Sequence, residues 1–451
     1  MNTPNGIIIA GMNSSSGKTA ISCMILAALA ERGIAVQPFK AGPDFIDPGY
    51  HDRFCSGAIS RNLDCWLMGR ENVLKEVAEN VAGRIGVVEG VMGLFDGGDS
   101  TSDEGSTMEL ARMLQWPIIL VVPCHKSGRS VAASLQGFIH EAGPGRIMGV
   151  ILNQTNGESH SDYLKQAITP LGLPILGVLP NCEELNWPER HLGLQASQER
   201  QLPSRQQLAQ LAEKYLNLSR LLAIVEPVPP LKVMPIRAKS RLRIGIARDE
   251  AFHFYYESNL DYLRKAGAEL IPFSPIHDAR LPANLNGLYF GGGFPEMFAG
   301  PLSDNGSLRL EIPSRINSGM PCYAECGGLM YLAEELVTLD GERFPMCGLI
   351  PGAVEMTERL NNFGYCVTSG SSSSPEAAFH GHEFHHSIWR DENEHANLWK
   401  VRRNRLGSER REGFRHKGLH ASYVHLHFAR SSKVVDKVFD LSPITKTVNR
   451  G

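Results

Sequence analysis

Two α/β domains in tandem are predicted by three features of this 451-residue chain. Apolar runs alternate with amphipathic stretches in both halves, a proline-dense segment interrupts that pattern near the middle, and each half carries a small-residue turn directly after an apolar run. Runs that are apolar throughout, with helices between them, argue strands buried on both faces and hence a parallel sheet. A chain of this length also exceeds one typical domain.

In the first half, strands are expected at residues 6–10, 35–39, 85–89, 118–122, 147–152 and 175–179, with helices at 19–32 and 106–114. The character then changes. Residues 204–222 read as helix, and Glu226-Pro227-Val228-Pro229-Pro230, with Pro235 close behind, reads as a linker because prolines at that density stiffen and punctuate a chain. A second α/β pattern follows, with strands at 242–247, 269–273, 287–290 and 321–325 and a helix over 254–266. After Gly341 the strands shorten, and the serine run 369–374 reads as a loop. The expected division is 1–185, a helical and proline-rich segment 186–241, and 242–451.

Composition narrows the class. Hydrophobic content of 42% against 21% charged is globular, the formal charge is only −3, and no basic stripe interleaved with aromatics stands out for nucleic acid. The basic cluster at 402–415 contains Glu409 and Glu412 and reads as a solvated face. The apolar run 117–123 falls far short of the ~20 residues of a membrane-spanning helix. The N-terminus lacks the pattern of a cleaved signal. Nine dispersed cysteines without a Cys-x-x-Cys pair fit reduced thiols better than a disulfide framework or a structural zinc site. A cytoplasmic protein with neither membrane nor nucleic-acid partner is expected.

Gly11-Met12-Asn13-Ser14-Ser15-Ser16-Gly17-Lys18-Thr19 joins a strand to a helix. Such a turn aims backbone N–H groups, reinforced by the helix dipole, at phosphate oxygens. Gly11, Asn13, Ser16 and Gly17 would cradle the nucleotide, Lys18 would reach the outer phosphates, and Thr19 would ligate Mg²⁺. Five residues, not the usual four, separate Gly11 from Gly17, a form found in dethiobiotin synthetase-like and partition-ATPase-like proteins. At the next strand end stand Lys40, Asp44 and Asp47. Lys40 suits a transferring phosphoryl group or a substrate carboxylate, and Asp44 or Asp47 suits a metal. An ordinary solvated turn is the rival reading for Asp47. Glu89 ends an apolar strand, where an unpaired carboxylate is costly, so a metal role is expected. Asn153, at a further strand end, suits an adenine contact or a plain cap.

In the second half, Ala324-Glu325-Cys326-Gly327-Gly328 places a thiol at a strand-to-helix turn with small neighbours. This is the thiol counterpart of a nucleophile elbow, where the helix N-terminus favours thiolate. Upstream, Gly291-Gly292-Gly293 offers N–H groups for an oxyanion hole, with Gly292, Gly293 and Gly327 the candidates. Tyr423-Val424-His425-Leu426-His427 supplies a base; the alternation suggests that both histidines share a strand face, and His425 is preferred. Cys23, Cys322 and Cys347 read as core. His382-Glu383-Phe384-His385-His386 lacks zinc-protease spacing and reads as a substrate-contacting or structural strand.

With both halves read, the chain resembles the cobyrinate a,c-diamide synthases of corrinoid biosynthesis across essentially its full length. The resemblance rests on the phosphate loop, Lys40–Pro48, Ser60–Asp64, Glu89–Gly97, Pro188–Leu194, Asp249–Phe252, Gly291–Glu296, Tyr323–Leu332 and His420–Ala429. It implies a dethiobiotin synthetase-like ATP domain and a class I glutamine amidotransferase domain. The implied substrates are cobyrinate, ATP and glutamine, with Mg²⁺ as cofactor and a homodimer as one assembly open to it. Two acetate carboxylates of the ring would be phosphorylated in turn and amidated by ammonia released at a thioester on Cys326. Lys18 and Lys40 would serve phosphate, Thr19 and Glu89 Mg²⁺, Cys326 the attack and His425 the base, with Asp47, Asn62 and Asp64 toward the substrate. Two departures from many class I glutaminases stand out: Ala324 replaces their glycine, and Leu426-His427 replaces the Pro-Glu of their usual His-Pro-Glu pattern, so a Cys–His dyad is expected. Hydrogenobyrinate and nickel-sirohydrochlorin are rival macrocycles, and a partition-type ATPase switch is the rival class.

Overall fold

Ile7, Ile8 and Ile9 illustrate how the first sheet is built. Successive strand side chains point to opposite faces, and all three are fully buried, Ile7 and Ile9 in one core and Ile8 in the other. Only a strand covered on both sides accepts such a run. The computed structural model describes residues 5–185, 187, 189–190, 193–194, 202–225, 242–370, 378–403 and 409–441. The proline-rich segment 226–241, the serines at 371–374 and Pro188, His191 and Leu192 of the family block lie outside the described residues.

The chain forms two compact units, Met1–Val233 and Met234–Gly451. The first runs β1 (Gly6–Gly11), α1 (Lys18–Glu31), β2 (Val36–Ala41), α2 (Asp47–Phe54), β3 (Arg61–Leu63), α3 (Cys65–Met68) and α4 (Arg70–Asn80). It continues through β4 (Ile85–Glu89), α5 (Thr107–Leu114), β5 (Ile118–Pro123), α6 (Ser130–Ala142), β6 (Ile147–Thr155), α7 (Gly157–Ile168) and β7 (Ile175–Pro180). A short ribbon of β8 (Glu189–Arg190) and β9 (Gly193–Leu194) precedes α8 (Arg205–Tyr215) and α9 (Leu218–Leu222). Seven parallel strands lie in the order β3-β2-β4-β1-β5-β6-β7. All six strands expected from the apolar runs are present.

Helices α8 and α9 belong to this unit by packing. Leu208, Ala212, Leu218 and Leu221 share a core with Ile21 and Ile25 of α1. A capping box between Ser204 and Gln207 starts α8, and Arg32–Glu213 and Arg205–Glu31, each at 2.7 Å, flank its contact with α1.

The second unit begins β10 (Leu242–Ala247), β11 (Phe252–Phe254), α10 (Glu257–Lys265), β12 (Ala268–Phe273), β13 (Gly287–Phe290) and β14 (Gly292–Gly293). Next come α11 (Ala299–Asp304), α12 (Gly306–Asn317), β15 (Cys322–Glu325), α13 (Gly327–Leu332), β16 (Ala333–Val337), β17 (Arg343–Pro345) and β18 (Ile350–Met356). Then follow β19 (Asn362–Gly370), β20 (Phe379–His385), β21 (Ser387–Trp389), α14 (Glu392–His395), β22 (Trp399–Arg403) and β23 (Glu409–Glu412). The unit closes with β24 (Phe414–His416), β25 (Leu419–Ser422), β26 (His425–Leu426) and α15 (Phe428–Phe439). Its main sheet, β12-β10-β13-β15-β25-β24, is parallel except for the β24–β25 pair. Two smaller sheets, β17-β16-β18-β21 and β23-β22-β19-β20-β26, accompany it.

Two expectations are corrected here. The helix expected over 254–266 starts later, because Phe252–Phe254 forms a ribbon with Gly292–Gly293. The cluster at 402–415 is not one solvated face. Glu412 is fully buried and accepts from Trp399 Nε1, the Ser422 hydroxyl and the Tyr423 N–H, while Arg410 pairs with Glu383 and Glu392. No helix among the described residues is long and apolar enough to cross a membrane.

Candidate active sites

In the first unit the C-terminal ends of β1, β2, β4 and β6 deliver the phosphate loop, Lys40, Glu89 and Asn153, which is where doubly wound sheets hold ligands. Gly17 adopts φ 89°, and a Cβ there would lie 2.2 Å from Asn153 Nδ2, so only glycine fits beneath the asparagine. Asn153 donates to the Ser16 carbonyl at 2.9 Å and thus holds the loop. Lys18 Nζ reaches over the loop to the carbonyls of Met92 (2.6 Å) and Asn13 (3.3 Å). Burial, with Lys40 nearby, lowers the Lys18 ammonium to about 8.

Register explains the charge cluster. Strand β2 lies beside β4 with Lys40 opposite Glu89. Lys40, 2% exposed, sits 3.6 Å from Glu89, 3.2 Å from Asp47 and 2.8 Å from the Gly90 carbonyl. Glu89 also accepts from Thr19 Oγ1 (2.7 Å) and contacts His51 Nε2 (2.7 Å). Burial works to raise the Glu89 carboxyl, but Lys40, His51 and Thr19 outweigh it and hold the group well below the usual carboxylate range. Burial beside Asp44 and Glu89 pushes the Asp47 carboxyl up, against the pull of Lys40. His51, which sequence reasoning passed over, links Glu89 to the Ser60 hydroxyl at 2.9 Å. Its signal was a histidine four residues after Asp47, on helix α2, which packs against α1 and β2.

The remaining candidates of this unit do local work. Asp44 accepts from the backbone of Ile46 and Asp47, Asn62 donates to the Gly42 and Asp44 carbonyls, and Asp64 caps α3 through Leu67 N. Asp44 and Asn62 thus brace the turn between Lys40 on β2 and Asp47 on α2, while Asp64 starts α3. Among the described residues no three His, Cys, Asp or Glu side chains form a metal cluster.

In the second unit Cys326 stands between β15 and α13 with φ 47° and ψ −104°, a strained backbone at a nucleophile position. Its N–H donates to the Ser422 carbonyl at 2.7 Å, and the residue is 6% exposed. His425 lies against this elbow: a Cβ on Gly292 would approach its Cε1 at 2.8 Å, and its ring hydrogen-bonds Cys326. Burial alone would lower His425, but the hydrogen bonds to Cys326 and Glu325 lift it to about 10. Those hydrogen bonds favour the protonated ring.

His427 has a different place. The expected shared face does not exist, because β26 ends at Leu426 and His427 caps α15, its Nδ1 accepting from Ala429 N at 3.3 Å. Burial lowers it to about 3. His382, in β20, stands opposite His425 in register. The Cys326–His425 pair does not stand alone. Glu325, the residue before the nucleophile, contacts His425 Nδ1 at 3.3 Å. The glycine turn closes over the start of α13, where a Cβ on Gly327 would lie 3.1 Å from Gly293 N. Tyr255 pins that turn, accepting from Gly291 N at 2.9 Å and donating to the Ala247 carbonyl at 2.5 Å. Cys23 and Cys322 are fully buried and Cys347 nearly so, as core residues should be.

A phosphate loop on one parallel sheet and a thiol elbow on another define a glutamine amidotransferase joined to a nucleotide-binding domain. Residues 7–194 match the CobQ/CobB/MinD/ParA nucleotide binding domain, and residues 243–433 match the CobB/CobQ-like glutamine amidotransferase domain. The chain is 41% identical over 437 residues to a cobyrinate a,c-diamide synthase of Synechococcus sp., covering 94% of this chain and 95% of the relative. The synthase of Listeria innocua is 39% identical over 449 residues (96% and 99% covered), and that of Leptospira interrogans 39% over 444 residues (95% and 96%). The chain belongs to the cobyrinate a,c-diamide synthase family. It is an amide-forming ligase.

Proposed function

We propose that this chain amidates the a- and c-acetate carboxylates of cobyrinate, using ATP and ammonia drawn from glutamine. The observation that carries this reading is 41% identity to a cobyrinate a,c-diamide synthase over 94% of the chain. In the first unit Lys18 and the loop from Gly11 to Thr19 hold the ATP phosphates, and Lys40 offsets charge as the γ-phosphoryl group passes to the acetate. The residues fit Mg²⁺: the Thr19 hydroxyl and a Glu89 oxygen stand 2.7 Å apart, and the buried Ser16 hydroxyl has no hydrogen-bond partner among the described residues, as suits an anion cradle. When bound there, Mg²⁺ supplies charge neutralisation for phosphoryl transfer. Asp47, Asn62 and Asp64 are assigned to the substrate side and Asp44 to the metal side, with Asn62 and Asp44 bracing the turn that leads into Asp47.

In the second unit the Cys326 thiolate attacks the glutamine amide carbon. The oxyanion meets N–H groups of the Gly292–Gly293 turn and of Gly327. His425, already protonated, gives its proton to the departing ammonia, and the resulting neutral ring then serves as base for the water that cleaves the glutamyl thioester. Ammonia displaces phosphate from the acyl phosphate, and the cycle repeats on the second acetate. The test is Cys326→Ser. Glutamine-dependent amidation of cobyrinate should vanish while ammonium still supports it, as read by mass spectrometry of the macrocycle. Retained turnover with glutamine refutes the assignment.

A further inference from the structure

Glutaminases of this class orient their histidine with an acid shortly after it in sequence; here Leu426 and His427 fill those places. The chain nevertheless brings a carboxylate to the same ring atom. Strand β15 pairs in parallel with β25, Glu325 opposite Ser422, and His425, three residues after Ser422, comes against Glu325 at the end of β15. Glu325 Oε1 accepts from the Tyr323 hydroxyl at 2.6 Å and from Leu426 N at 3.3 Å. Those contacts leave Oε2 facing His425 Nδ1 at 3.3 Å. The residue is 2% exposed, and a carboxylate so buried persists only where donors surround it.

We propose that Glu325 is the positioning residue of the glutaminase, a third member supplied from the strand before the nucleophile, which fixes the His425 ring through Nδ1 and leaves Nε2 for the Cys326 sulfur. The assignment rests on the proposed glutaminase reading. An acid at this place differs from one after the histidine in a useful way. Glu325 and Cys326 are neighbours in the chain, so the backbone that strains the nucleophile also sets where the acid stands. The groups facing His425 are Cys326 from the elbow, Glu325 from β15 and His382 from β20, with Tyr289 and Tyr323 facing the Glu325 carboxylate. An anion at Nδ1 favours the imidazolium, so its removal should let His425 lose its proton at lower pH.

The experiment uses the full-length protein and its Glu325→Gln, Glu325→Asp and Cys326→Ser variants. Glutamine-dependent kcat and KM, ammonium-dependent synthesis and the alkaline limb of the glutamine kcat/KM profile are read for each. Glu325→Gln should lower glutamine-dependent kcat on the order of 10²-fold or more, with KM and the ammonium reaction little changed. Its alkaline limb should move to lower pH. Glu325→Asp, which keeps the charge, should hold the limb near its original position with an intermediate kcat. Wild-type kcat in Glu325→Gln, or a lowered kcat with an unmoved limb, overturns the proposal. If Glu325→Gln does not fold, Glu325→Asp decides: a reduced kcat with the limb retained supports the assignment and a wild-type kcat overturns it. Should Cys326→Ser keep glutamine turnover, the glutaminase reading itself fails; if it loses turnover while Glu325→Gln keeps it, only the role of Glu325 fails.

Discussion

Lys40 shows what a single residue contributes and what it needs. An ammonium this buried is costly in isolation, yet desolvation is outweighed by Glu89 and Asp47, which hold it charged. Glu89→Gln should therefore destabilise the first unit by about 3 kcal/mol, the low end for breaking a buried pair, since Asp47 still stands 3.2 Å from the ammonium. Urea unfolding of the variant beside the wild type checks this, and a loss well under 1 kcal/mol would show that the pair is not what holds the strand ends together. The carboxylate was legible as unusual because it ends an apolar run. Its partners were less so: His51, 38 residues away, offered only its spacing from Asp47, and Thr19, 70 residues away, was tied to Glu89 only through an expected shared Mg²⁺.

At the scale of elements, the ribbon of β11 and β14 does most to shape the glutaminase. It carries the glycine turn, and a Cβ on Gly293 would lie 2.0 Å from the Ala251 carbonyl oxygen. Gly293→Ala should displace the turn from Gly327 and lower glutamine-dependent kcat by about 10²–10³-fold, the range for a lost oxyanion donor. Ammonium-dependent synthesis measured on the same preparation should be unaffected; equal losses in both assays would instead mean general damage to the protein. The turn was readable as Gly291-Gly292-Gly293 after an apolar run. The ribbon was not, because Phe252–Phe254 reads as the start of a helix until its pairing with Gly292–Gly293 is seen. The same holds for His427, whose alternation with His425 mimics a strand although a helix begins there.

Over the whole molecule, each unit has its own hydrophobic cores and its own reactive end, so the two half-reactions should be separable by single substitutions. Lys18→Ala should abolish amidation with either nitrogen source. The same variant should still be labelled at Cys326 by an electrophilic glutamine analogue, detected as a mass shift. Ammonium-driven synthesis in that variant would remove Lys18 from the reaction. Loss of labelling would show that the thiol depends on the phosphate loop.

The sequence by itself determined the two α/β units, the phosphate loop and the thiol elbow. Each is a local consequence of chain geometry, a tight turn of small residues between an apolar strand and a helix. Only the tertiary structure decided which charges meet. Strand order puts β4 between β2 and β1, so that Glu89 faces Lys40, and places β25 beside β15, so that an acid and a histidine 100 residues apart share a hydrogen bond. Buried ionisable groups are stabilised by whatever the neighbouring strand presents, and neighbourhood in a parallel sheet is set by crossover connections rather than by spacing along the chain.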